Sequence, residues 1–316
     1  MLRKPRALRL GDTLGLIAPS GSLKDIGMVA DAADMLRSHG FGIKIGESCR
    51  SIYGYLAGED SVRAADVNTF FADPEVSGIV CLKGGYGTIR ILDALDYEAI
   101  GRNPKVFVGY SDITCLHLAL NRHCSLPTFH GPMGVSDTLL QGDEFSTQSW
   151  LTALTLGAPL GRLRNPPEAA PMITLVGGVA RGPMMGGNLS LVAATMGTPF
   201  EIDARNQILF FEDIDEHPYR VDRMLTQLRL AGKFDECAGI VLGDWNNCVP
   251  EEGTRSLELM EIFRDILVPA GKPTLAGFQA GHCYPMITFP FGVEVLLDAD
   301  SLSLEMVESA FTDEAT

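Results

Sequence analysis

The segment Gly109–Asp112 carries a serine in a setting that suits nucleophilic chemistry. The apolar, β-branched run Val106–Val108 precedes it and predicts a buried strand, and an amphipathic helix is predicted from near Asp112. A strand, a Gly-x-Ser turn and a helix form the layout of a nucleophile elbow, which lifts a serine hydroxyl out of the sheet. Ser111 is therefore a candidate nucleophile. In the alternative interpretation, Ser111 or Asp112 simply caps the helix that follows.

An acidic run, Glu212–Glu216, follows another predicted strand and offers carboxylates. Such a cluster could bind Mg²⁺, but Mg²⁺ usually relies on one or two carboxylates together with a phosphate, and the sequence has no phosphate-binding loop. Acids favour the first turn of a helix, so part of the run is expected to cap the helix that begins near Tyr219. Glu212 differs because it ends the strand, where a carboxylate would be partly buried and held in place to orient a histidine.

His282, in the turn Gly281–Met286, is the candidate histidine for such a carboxylate. A lone histidine often has only a structural role, and His130 is the rival candidate for a general base. Two cysteines, Cys115 and Cys283, are rival nucleophiles. Cys115 lies one helical turn beyond the candidate serine and is predicted to face a core, which would make it inert.

A glycine-rich turn, Lys83–Gly87, follows a further predicted strand. It lacks the spacing of a dinucleotide fingerprint or a phosphate-binding loop, so the pattern gives little support to nucleotide binding. Its glycines instead allow a backbone N–H to face a neighbouring site. If Ser111 is the nucleophile, the N–H groups of Gly85 and Asp112 are the natural donors to an oxyanion. The alternative is a plain turn with a positive φ.

Predicted strands and helices alternate through the first half of the chain, as expected for a mostly parallel, doubly wound sheet. A Pro- and Gly-rich stretch near 157–172 separates this half from a second half with more strand patterns. We therefore predict an N-terminal α/β domain over 1–157, a linker over 158–173 and a mixed α/β, β-rich C-terminal domain over 174–316. Ligands of doubly wound sheets gather at the carboxyl ends of the strands, where the glycine-rich turn and the candidate serine are placed.

The composition narrows the choice of partners and compartments. The 316 residues carry a formal net charge of −15, which argues against a nucleic-acid partner because phosphates require a basic surface. No stretch approaches the roughly 18 apolar residues of a membrane span, and the apolar run Leu14–Ala18 is too short for a secretory signal. The seven cysteines are odd in number and form no C-x-x-C pair, which favours free thiols in a reducing compartment. We predict a cytoplasmic location and no nucleic-acid or membrane partner.

Six motifs in a fixed order extend over most of the chain. They are Gly15–Gly21, Lys83–Gly87, Gly109–Thr114, Gly186–Leu189, Glu212–Leu225 and Gly281–Cys283. Together they resemble the LD-carboxypeptidase family of serine peptidases. That family uses a Ser–Glu–His triad, which the resemblance places on Ser111, Glu212 and His282. The resemblance implies a hydrolase that removes a terminal D-alanine from a small murein peptide in cell-wall recycling, and neither a cofactor nor a metal is expected. One departure is Lys83, where the family more often has arginine.

The resemblance also bears on how the substrate is held and which rivals remain. A free D-amino-acid carboxylate needs local cations, and Lys83, Arg181 and Arg220 are the candidates. Family members often form homodimers, so a homodimer is expected. The first alternative is a microcin-immunity type of relative, which cleaves a peptide–nucleotide amide. Its members tend to carry an aromatic residue in the loop between the domains, but residues 161–183 contain no Trp or Tyr. The second alternative is a non-catalytic protein that binds small anions in a two-domain cleft.

Overall fold

The computed structural model describes residues 2–312, and its first half alternates strands with helices. The strands of this half are Thr13–Ile17 (β1), Gly42–Ile45 (β2), Gly78–Cys81 (β3), Val106–Gly109 (β4) and Thr128–His130 (β5). The α-helices are Met28–Ser38 (α1), Asp60–Ala72 (α2), Tyr97–Arg102 (α3), Thr114–Cys124 (α4), Asp137–Leu140 (α5) and Glu144–Thr155 (α6). Short 3₁₀ helices occupy Glu47–Arg50, Thr88–Ala94 and Ser111–Ile113.

Strands dominate the second half of the chain. They are Gly161–Leu163 (β6), Ile173–Val176 (β7), Val179–Asn188 (β8), Ile208–Ile214 (β9), Gly239–Asn246 (β10), Thr274–Ala276 (β11), Phe289–Phe291 (β12), Glu294–Asp298 (β13) and Ser303–Met306 (β14). The α-helices are Leu189–Thr195 (α7), Pro218–Leu230 (α8), Lys233–Glu236 (α9) and Leu259–Leu267 (α10), and a 3₁₀ helix follows at Val268–Ala270. In the described part of the chain, every helix is too short or too polar to cross a membrane.

The first sheet has the strand order β2-β1-β3-β4-β5-β12. Strands β1 to β5 pair in parallel, whereas β12 comes from the second half of the chain and runs antiparallel to β5. Alternate side chains of these strands pack into two layers. Leu16 and Val80 join α1 and α6 in one layer, and Ile79 and Phe107 join α2 and α4 in the other. The sheet is therefore doubly wound and mostly parallel, which confirms the predicted class.

The second sheet has the order β6-β14-β13-β8-β9-β10-β11-β7. Strands β8 to β11 pair in parallel, and the strands at both edges are antiparallel. The predicted mixed, β-rich second domain is confirmed. Its core is continuous with the first domain, because Phe210 and Leu275 belong to the same apolar cluster as Leu16 and Val80.

Two strands depart from a simple division of the sheets at the predicted linker, 158–173. β6 lies inside that linker and pairs with β14 of the second sheet, and β12, from the predicted C-terminal domain, completes the first sheet. The domain bounds 1–157 and 174–316 stay a prediction. Residue 1 and residues 313–316, at their outer ends, lie outside the described residues.

The topology brings several loops together at the carboxyl ends of the parallel strands in the first sheet. In a sheet with the order 2-1-3-4-5 the direction of winding reverses between β1 and β3, and ligands bind in the crevice at that point. The loops after β1, β3 and β4 all begin at these carboxyl ends. Residues 277–288 connect β11 in the second sheet with β12 in the first, and so bring a loop of the second domain to the first.

Candidate active site

Ser111 stands in a tight turn directly after β4. Its φ angle is +64°, in the left-handed region that few residues other than glycine adopt. Such strain is kept only where the surrounding structure imposes it, and it clusters at functional sites. The turn continues through the 3₁₀ helix Ser111–Ile113 into α4. The local structure is thus the strand, sharp turn and helix of a nucleophile elbow.

The side chains of Ser111 and Asp112 do not cap the helix that follows. Within residues 2–312, no side-chain hydrogen bond caps the 3₁₀ helix Ser111–Ile113 or the first turn of α4. The carboxylate of Asp112 is 1% exposed, and its Oδ2 atom accepts hydrogen bonds from Ser20 Oγ (2.6 Å) and from the N–H of Thr88 (2.9 Å). The hydroxyl of Ser111 faces a histidine of the second domain, so the capping interpretation is wrong.

His282 bridges Ser111 and Glu212 with its two ring nitrogens. Nε2 lies 3.1 Å from Ser111 Oγ, and Nδ1 lies 2.6 Å from Glu212 Oε2. Because an ionised carboxylate only accepts hydrogen bonds, Nδ1–H donates to Glu212, and Nε2 is left to accept from the serine hydroxyl. In this tautomer the imidazole can take the serine proton, while the carboxylate stabilises the imidazolium that forms. The structure therefore brings all three predicted residues into one chain of hydrogen bonds.

Glu212 is fully buried on β9, more so than the sequence suggested. Gly281 makes room for it, because a Cβ atom at position 281 would lie 2.7 Å from Glu212 Oε2 and 2.8 Å from Glu212 Cβ. The φ angle of Gly281 is +116°, which L side chains rarely adopt. A glycine directly before the histidine thus lets the loop pack against the carboxylate.

Acidic side chains surround His282. Burial lowers the pKa of His282, but the charge and hydrogen bond of Glu212, with the charges of Asp213 and Asp244, outweigh it and raise the pKa above its ordinary value of 6.5. Burial, and then the charge of Glu212, raise the pKa of Asp213 and the pKa of Asp244 to about 6 each. These neighbours therefore stabilise the imidazolium, which is the form that follows proton transfer from a serine.

Side chains that the sequence did not single out hold the loop 277–288. Asn246 Nδ2 donates a hydrogen bond to the carbonyl oxygen of His282 at 2.6 Å. Ser146 and Ser149, both on α6, each accept a hydrogen bond at 2.9 Å from a backbone N–H further along the loop. Each contact joins a side chain to a backbone atom distant along the chain, so no local sequence pattern could have revealed it.

The glycine-rich turn after β3 lies against Ser111. A Cβ atom at position 84 would lie 2.9 Å from Ser111 Cβ and 3.0 Å from Ser111 Oγ, so Gly84 permits this approach. Gly85 follows it in the turn and lines the same cavity as the serine. Among residues 2–312, none accepts a hydrogen bond from the N–H of Gly85. That N–H is therefore available to a ligand, as is required of the predicted oxyanion donor.

A cavity of about 360 Å³ opens at Ser111 and His282. The rest of its lining comes from the glycine-rich turn, from Tyr110 and from the loop after β5, namely Lys83, Gly84, Gly85, Tyr110, Met133, Val135, Ser136 and Asp137. A larger cavity of about 750 Å³ lies between α6 and the segment 160–168, and neither Ser111 nor His282 lines it. We take the smaller cavity as the candidate active site because it contains the nucleophile and the base.

The three predicted carboxylate-binding residues have different surroundings. Lys83 lines the cavity, and its Nζ donates to a backbone carbonyl in the loop after β1 at 3.2 Å. Arg181 forms an ion pair with Glu294 at 2.6 Å, and Arg220 pairs with Glu216 at 3.5 Å. Neither arginine lines the cavity. The structure thus brings only Lys83 together with the serine and the histidine.

The rival base and nucleophiles do not line the cavity either. His130 is fully buried among three phenylalanines of β9 and β12, and burial lowers its pKa well below 6.5. Cys115 is fully buried and Cys283 is partly exposed, and burial raises the pKa of both thiols. Since the thiolate is the nucleophilic form, neither cysteine is activated.

The rest of the acidic run has structural contacts. Asp213 accepts hydrogen bonds from Asn188 Nδ2 at 2.8 Å and from the N–H and hydroxyl of Ser190 at 2.9 and 2.8 Å. It therefore holds the start of α7, whereas the sequence suggested a cap for the helix near Tyr219. Within residues 2–312, no group of three or more His, Cys, Asp and Glu side chains is arranged to hold a metal ion.

The two-domain α/β fold and the contacts of Ser111, His282 and Glu212 are typical of a serine peptidase. The chain belongs to the LD-carboxypeptidase family. The N-terminal domain of that family matches residues 14–131, and its C-terminal domain matches residues 181–297. The resemblance drawn from the six motifs is thereby confirmed, and the protein is a member of a peptidase family.

Proteins similar to this chain include two named as murein carboxypeptidases and one named as a microcin self-immunity protein. A Bacillus subtilis (strain 168) protein named "Probable murein peptide carboxypeptidase" is 43% identical over 295 residues, which cover 93% of this chain and 91% of the relative. The crystal structure of a muramoyltetrapeptide carboxypeptidase from Oxalobacter formigenes has a TM-score of 0.80 at 28% identity, covering 93% of this chain and 97% of that one. The microcin C7 self-immunity protein MccF of Escherichia coli has a TM-score of 0.90 at 25% identity, covering 98% and 99%.

Proposed function

We propose that this protein is a serine carboxypeptidase that hydrolyses an L-to-D amide and releases the terminal D-alanine of murein tetrapeptide. The observation that carries the proposal is the bridging position of His282, 3.1 Å from Ser111 Oγ and 2.6 Å from Glu212 Oε2. The 43% identical relative named for murein peptides supports the substrate class. Ser111 is the nucleophile, His282 the general base and Glu212 the residue that orients the base.

Acylation begins when Ser111 Oγ attacks the carbonyl carbon of the L-residue. His282 Nε2 takes the hydroxyl proton as the C–O bond forms, and the carbonyl becomes a tetrahedral oxyanion. Glu212 stabilises the imidazolium through the hydrogen bond to Nδ1. The raised pKa of His282 assists this step because it favours the protonated form.

The N–H groups of Gly85 and Asp112 are the proposed donors to the oxyanion. Gly85 supports this role through its place on the cavity wall beside Ser111. Asp112 supports it because its N–H follows the nucleophile directly in the turn, where a helix N-terminus begins. In other enzymes the loss of one such donor lowers kcat by about 10²–10³-fold, or about 2.7–4 kcal/mol of barrier.

Collapse of the intermediate completes the first half of the reaction. His282 Nε2–H passes its proton to the amine of D-alanine as the C–N bond breaks, which leaves an acyl-enzyme on Ser111. Water then attacks the ester carbonyl while His282 takes one of its protons. The C–O bond to Ser111 breaks, the serine regains a proton from the imidazole, and the peptide leaves with a free carboxylate.

Lys83 is the proposed partner of the substrate's terminal carboxylate. Lys83 lines the cavity that contains Ser111, and a charge-assisted hydrogen bond from its ammonium would anchor the D-residue. Arg181 and Arg220, the other two candidates, each pair with a glutamate and lie outside the lining. They have no part in the proposed site.

The cellular setting belongs to the same proposal. The seven cysteines are all free, which supports a reducing compartment such as the cytoplasm. A role in cell-wall recycling follows from the proposed murein substrate. We also propose a homodimer, as is common in the family, and sedimentation equilibrium of the purified chain would test it.

A microcin-immunity type of amidase is the second candidate function. The observation in its favour is the TM-score of 0.90 with the microcin self-immunity protein MccF, against 0.80 with the murein carboxypeptidase structure. Against it, residues 161–183 contain neither Trp nor Tyr. A non-catalytic small-anion binder is the third candidate, and it gives no reason for the strained φ of Ser111.

A panel of three substrates separates these candidates. The protein is incubated with murein tetrapeptide, with the same peptide ending in L-alanine, and with aspartyl sulfamoyl adenosine, a molecule present in one MccF structure. We expect mass spectrometry to detect hydrolysis of the D-alanine peptide alone. Faster turnover of the nucleotide amide would favour the second candidate, and binding without turnover of any substrate would favour the third.

A further inference from the structure

The side chain of Asp112 has a second set of contacts that the proposed reaction does not use. Asp112 is buried, with only 1% of its surface exposed. Oδ2 accepts hydrogen bonds from Ser20 Oγ at 2.6 Å and from the N–H of Thr88 at 2.9 Å. The hydroxyl of Thr88 also donates to the backbone carbonyl of Asp112. Asp112 and Thr88 are therefore joined in both directions.

These contacts tie together three loops at the carboxyl edge of the first sheet. Ser20 lies after β1, Thr88 directly follows the glycine-rich turn after β3, and Asp112 follows β4. The N–H of Gly21 donates to the carbonyl of Gly84 at 3.3 Å, so the start of the glycine-rich turn is also bound to the loop after β1. Both ends of the turn are thus fixed, one of them through Asp112.

The buried guanidinium of Arg63 also forms hydrogen bonds to two of these loops. Arg63 is fully buried, and its Nη1 donates to the carbonyl of Pro19 at 2.7 Å and to the carbonyl of Gly87 at 2.8 Å. Its ion-pair partner is Asp60. Among the described residues, no cation forms a hydrogen bond to Asp112, so its buried carboxylate costs free energy unless its hydrogen bonds compensate.

We propose that Asp112 is a positioning residue, whose side chain holds the glycine-rich turn Lys83–Gly87 through Thr88 so that the N–H of Gly85 faces the oxyanion. This inference rests on the proposed function, because it assigns the turn a part in catalysis. Donors to an oxyanion act only when they are held within a fraction of an ångström of the productive place. The turn contains three glycines in five residues and needs such a restraint.

The two carboxylate oxygens of Asp112 differ in a way that makes the proposal testable. Both donors bind Oδ2, and the buried Oδ1 has no hydrogen-bond partner among the described residues. An asparagine could therefore place its amide oxygen at Oδ2 and its NH₂ at Oδ1. It would keep the hydrogen bonds from Ser20 and from Thr88, while it loses the charge and buries an NH₂ group at the position of Oδ1. Alanine would lose both hydrogen bonds as well.

The experiment compares wild type, Asp112→Ala and Asp112→Asn as full chains on murein tetrapeptide. We expect Asp112→Ala to lower kcat about 100-fold with KM changed less than about threefold, because loss of one oxyanion donor has an effect of that size. Asp112→Asn should recover about tenfold or more of the loss. An unchanged kcat in Asp112→Ala, or no recovery in Asp112→Asn, would overturn the proposal.

A matched control separates positioning from simple stability. Asp66, on α2, is also a buried carboxylate that accepts hydrogen bonds from a serine hydroxyl and from backbone N–H groups, those of Ser48 and Glu47. It lies against Gly46, the residue that follows the edge strand β2. Asp66→Ala should keep kcat within about threefold of wild type. If it lowers kcat as much as Asp112→Ala does, the role of Asp112 is only structural. Should Asp112→Ala fail to fold, Ser20→Ala removes one hydrogen bond to Oδ2 and is expected to lower kcat about fivefold to tenfold.

The affinity for a transition-state analogue provides a further test, because a merely structural role of Asp112 would not change this affinity selectively. A peptide boronic acid forms a tetrahedral adduct with an active serine, so its affinity reports on the oxyanion donors. We expect its Ki to weaken about 100-fold in Asp112→Ala, with the affinity for the product tripeptide within about threefold. Equal weakening of both would contradict positioning.

The failure of the proposed function can be told apart from the failure of this inference. If wild type releases no D-alanine, the rate at which a fluorophosphonate labels Ser111 still depends on the oxyanion donors. Labelling that is about tenfold slower in Asp112→Ala and restored in Asp112→Asn would support the positioning role. Equal labelling rates in all three proteins would overturn it.

Discussion

The Nε2 atom of His282 lies 3.1 Å from Ser111 Oγ, although 171 positions separate the two residues along the chain. Ser111 follows a strand of the first sheet, whereas His282 lies on the loop that connects the second sheet with the first. Their distance therefore depends on how the two sheets pack on their shared core. The serine and its base form a site only where the two sheets meet. Substitutions that weaken the packing between the sheets are therefore expected to lower activity even when each domain stays folded.

The first prediction concerns pH. A protonated His282 cannot take the serine proton, so kcat/KM is expected to fall as the pH drops through the pKa of this residue. Because acidic neighbours raise that pKa above 6.5, the acid limb should have its midpoint above 6.5. Glu212→Gln removes the charge that raises the pKa and should shift the midpoint to lower pH, with a lower maximal rate. A pH–rate profile of both proteins would contradict the account if the midpoint did not move.

The second prediction concerns Gly281. Alanine at this position would meet the side chain of Glu212 at 2.7 Å and would be strained at φ +116°. We expect Gly281→Ala to displace His282 and to lower kcat about 100-fold, the cost of a displacement of about 1 Å. Gly142→Ala is the control, because Gly142 has φ +70° and no atom within 4 Å of an added Cβ. It should cost about 1–2 kcal/mol of stability without loss of activity. Full activity in Gly281→Ala would count against the proposed geometry.

The third prediction separates the cations. Lys83→Met removes the ammonium from the cavity and should raise KM about 10- to 100-fold with kcat little changed, since a hydrogen bond to a charged group contributes about 1.5–3 kcal/mol. Arg181→Met removes a cation that pairs with Glu294 outside the cavity, and KM should stay within about twofold of wild type. Steady-state kinetics on murein tetrapeptide measure both. The opposite order of effects would move the carboxylate site to Arg181.

The fourth prediction concerns the thiols. Burial raises the pKa of Cys283 and of Cys115, so neither is present as a reactive thiolate at neutral pH. We expect Cys283→Ala to hydrolyse the tetrapeptide at a rate of the same order as wild type, and iodoacetamide to leave the intact protein active. A serine-directed fluorophosphonate should inactivate it and label Ser111. Inactivation by the thiol reagent alone would point to Cys283 as the nucleophile.

Local patterns predicted the elements around the site well. The apolar run before Ser111, the acidic run that begins on β9 and the glycine before His282 are each visible over a few residues. The strand β9 continues to Ile214, however, and so does not end at Glu212 as the sequence predicts. The sequence does not predict the long strand β8, because Gly182 and Pro183 interrupt the alternation of apolar and polar residues that is typical of a strand. β12 was also missed, since it pairs with β5 about 160 residues earlier, and such pairings have no local signal.

Sequence reasoning was weakest for contacts that span the chain. The three cations could not be ranked because their distance from Ser111 depends on the packing of both domains. One signal was present, however: Glu216 precedes the predicted helix and lies four residues before Arg220 in its first turn, a spacing that favours an ion pair. The side-chain contacts of Asp112 with Ser20 and Thr88 join three loops and could be recognised only in three dimensions.

Release of D-alanine is the direct product of the proposed peptidase reaction at Ser111. Murein tetrapeptide is incubated with wild type and with Ser111→Ala, and mass spectrometry follows the loss of the terminal residue. We expect wild type to form tripeptide and free D-alanine, and Ser111→Ala to do so at least about 10⁴-fold more slowly. Release at equal rates by the two proteins, or no release by wild type, would contradict it.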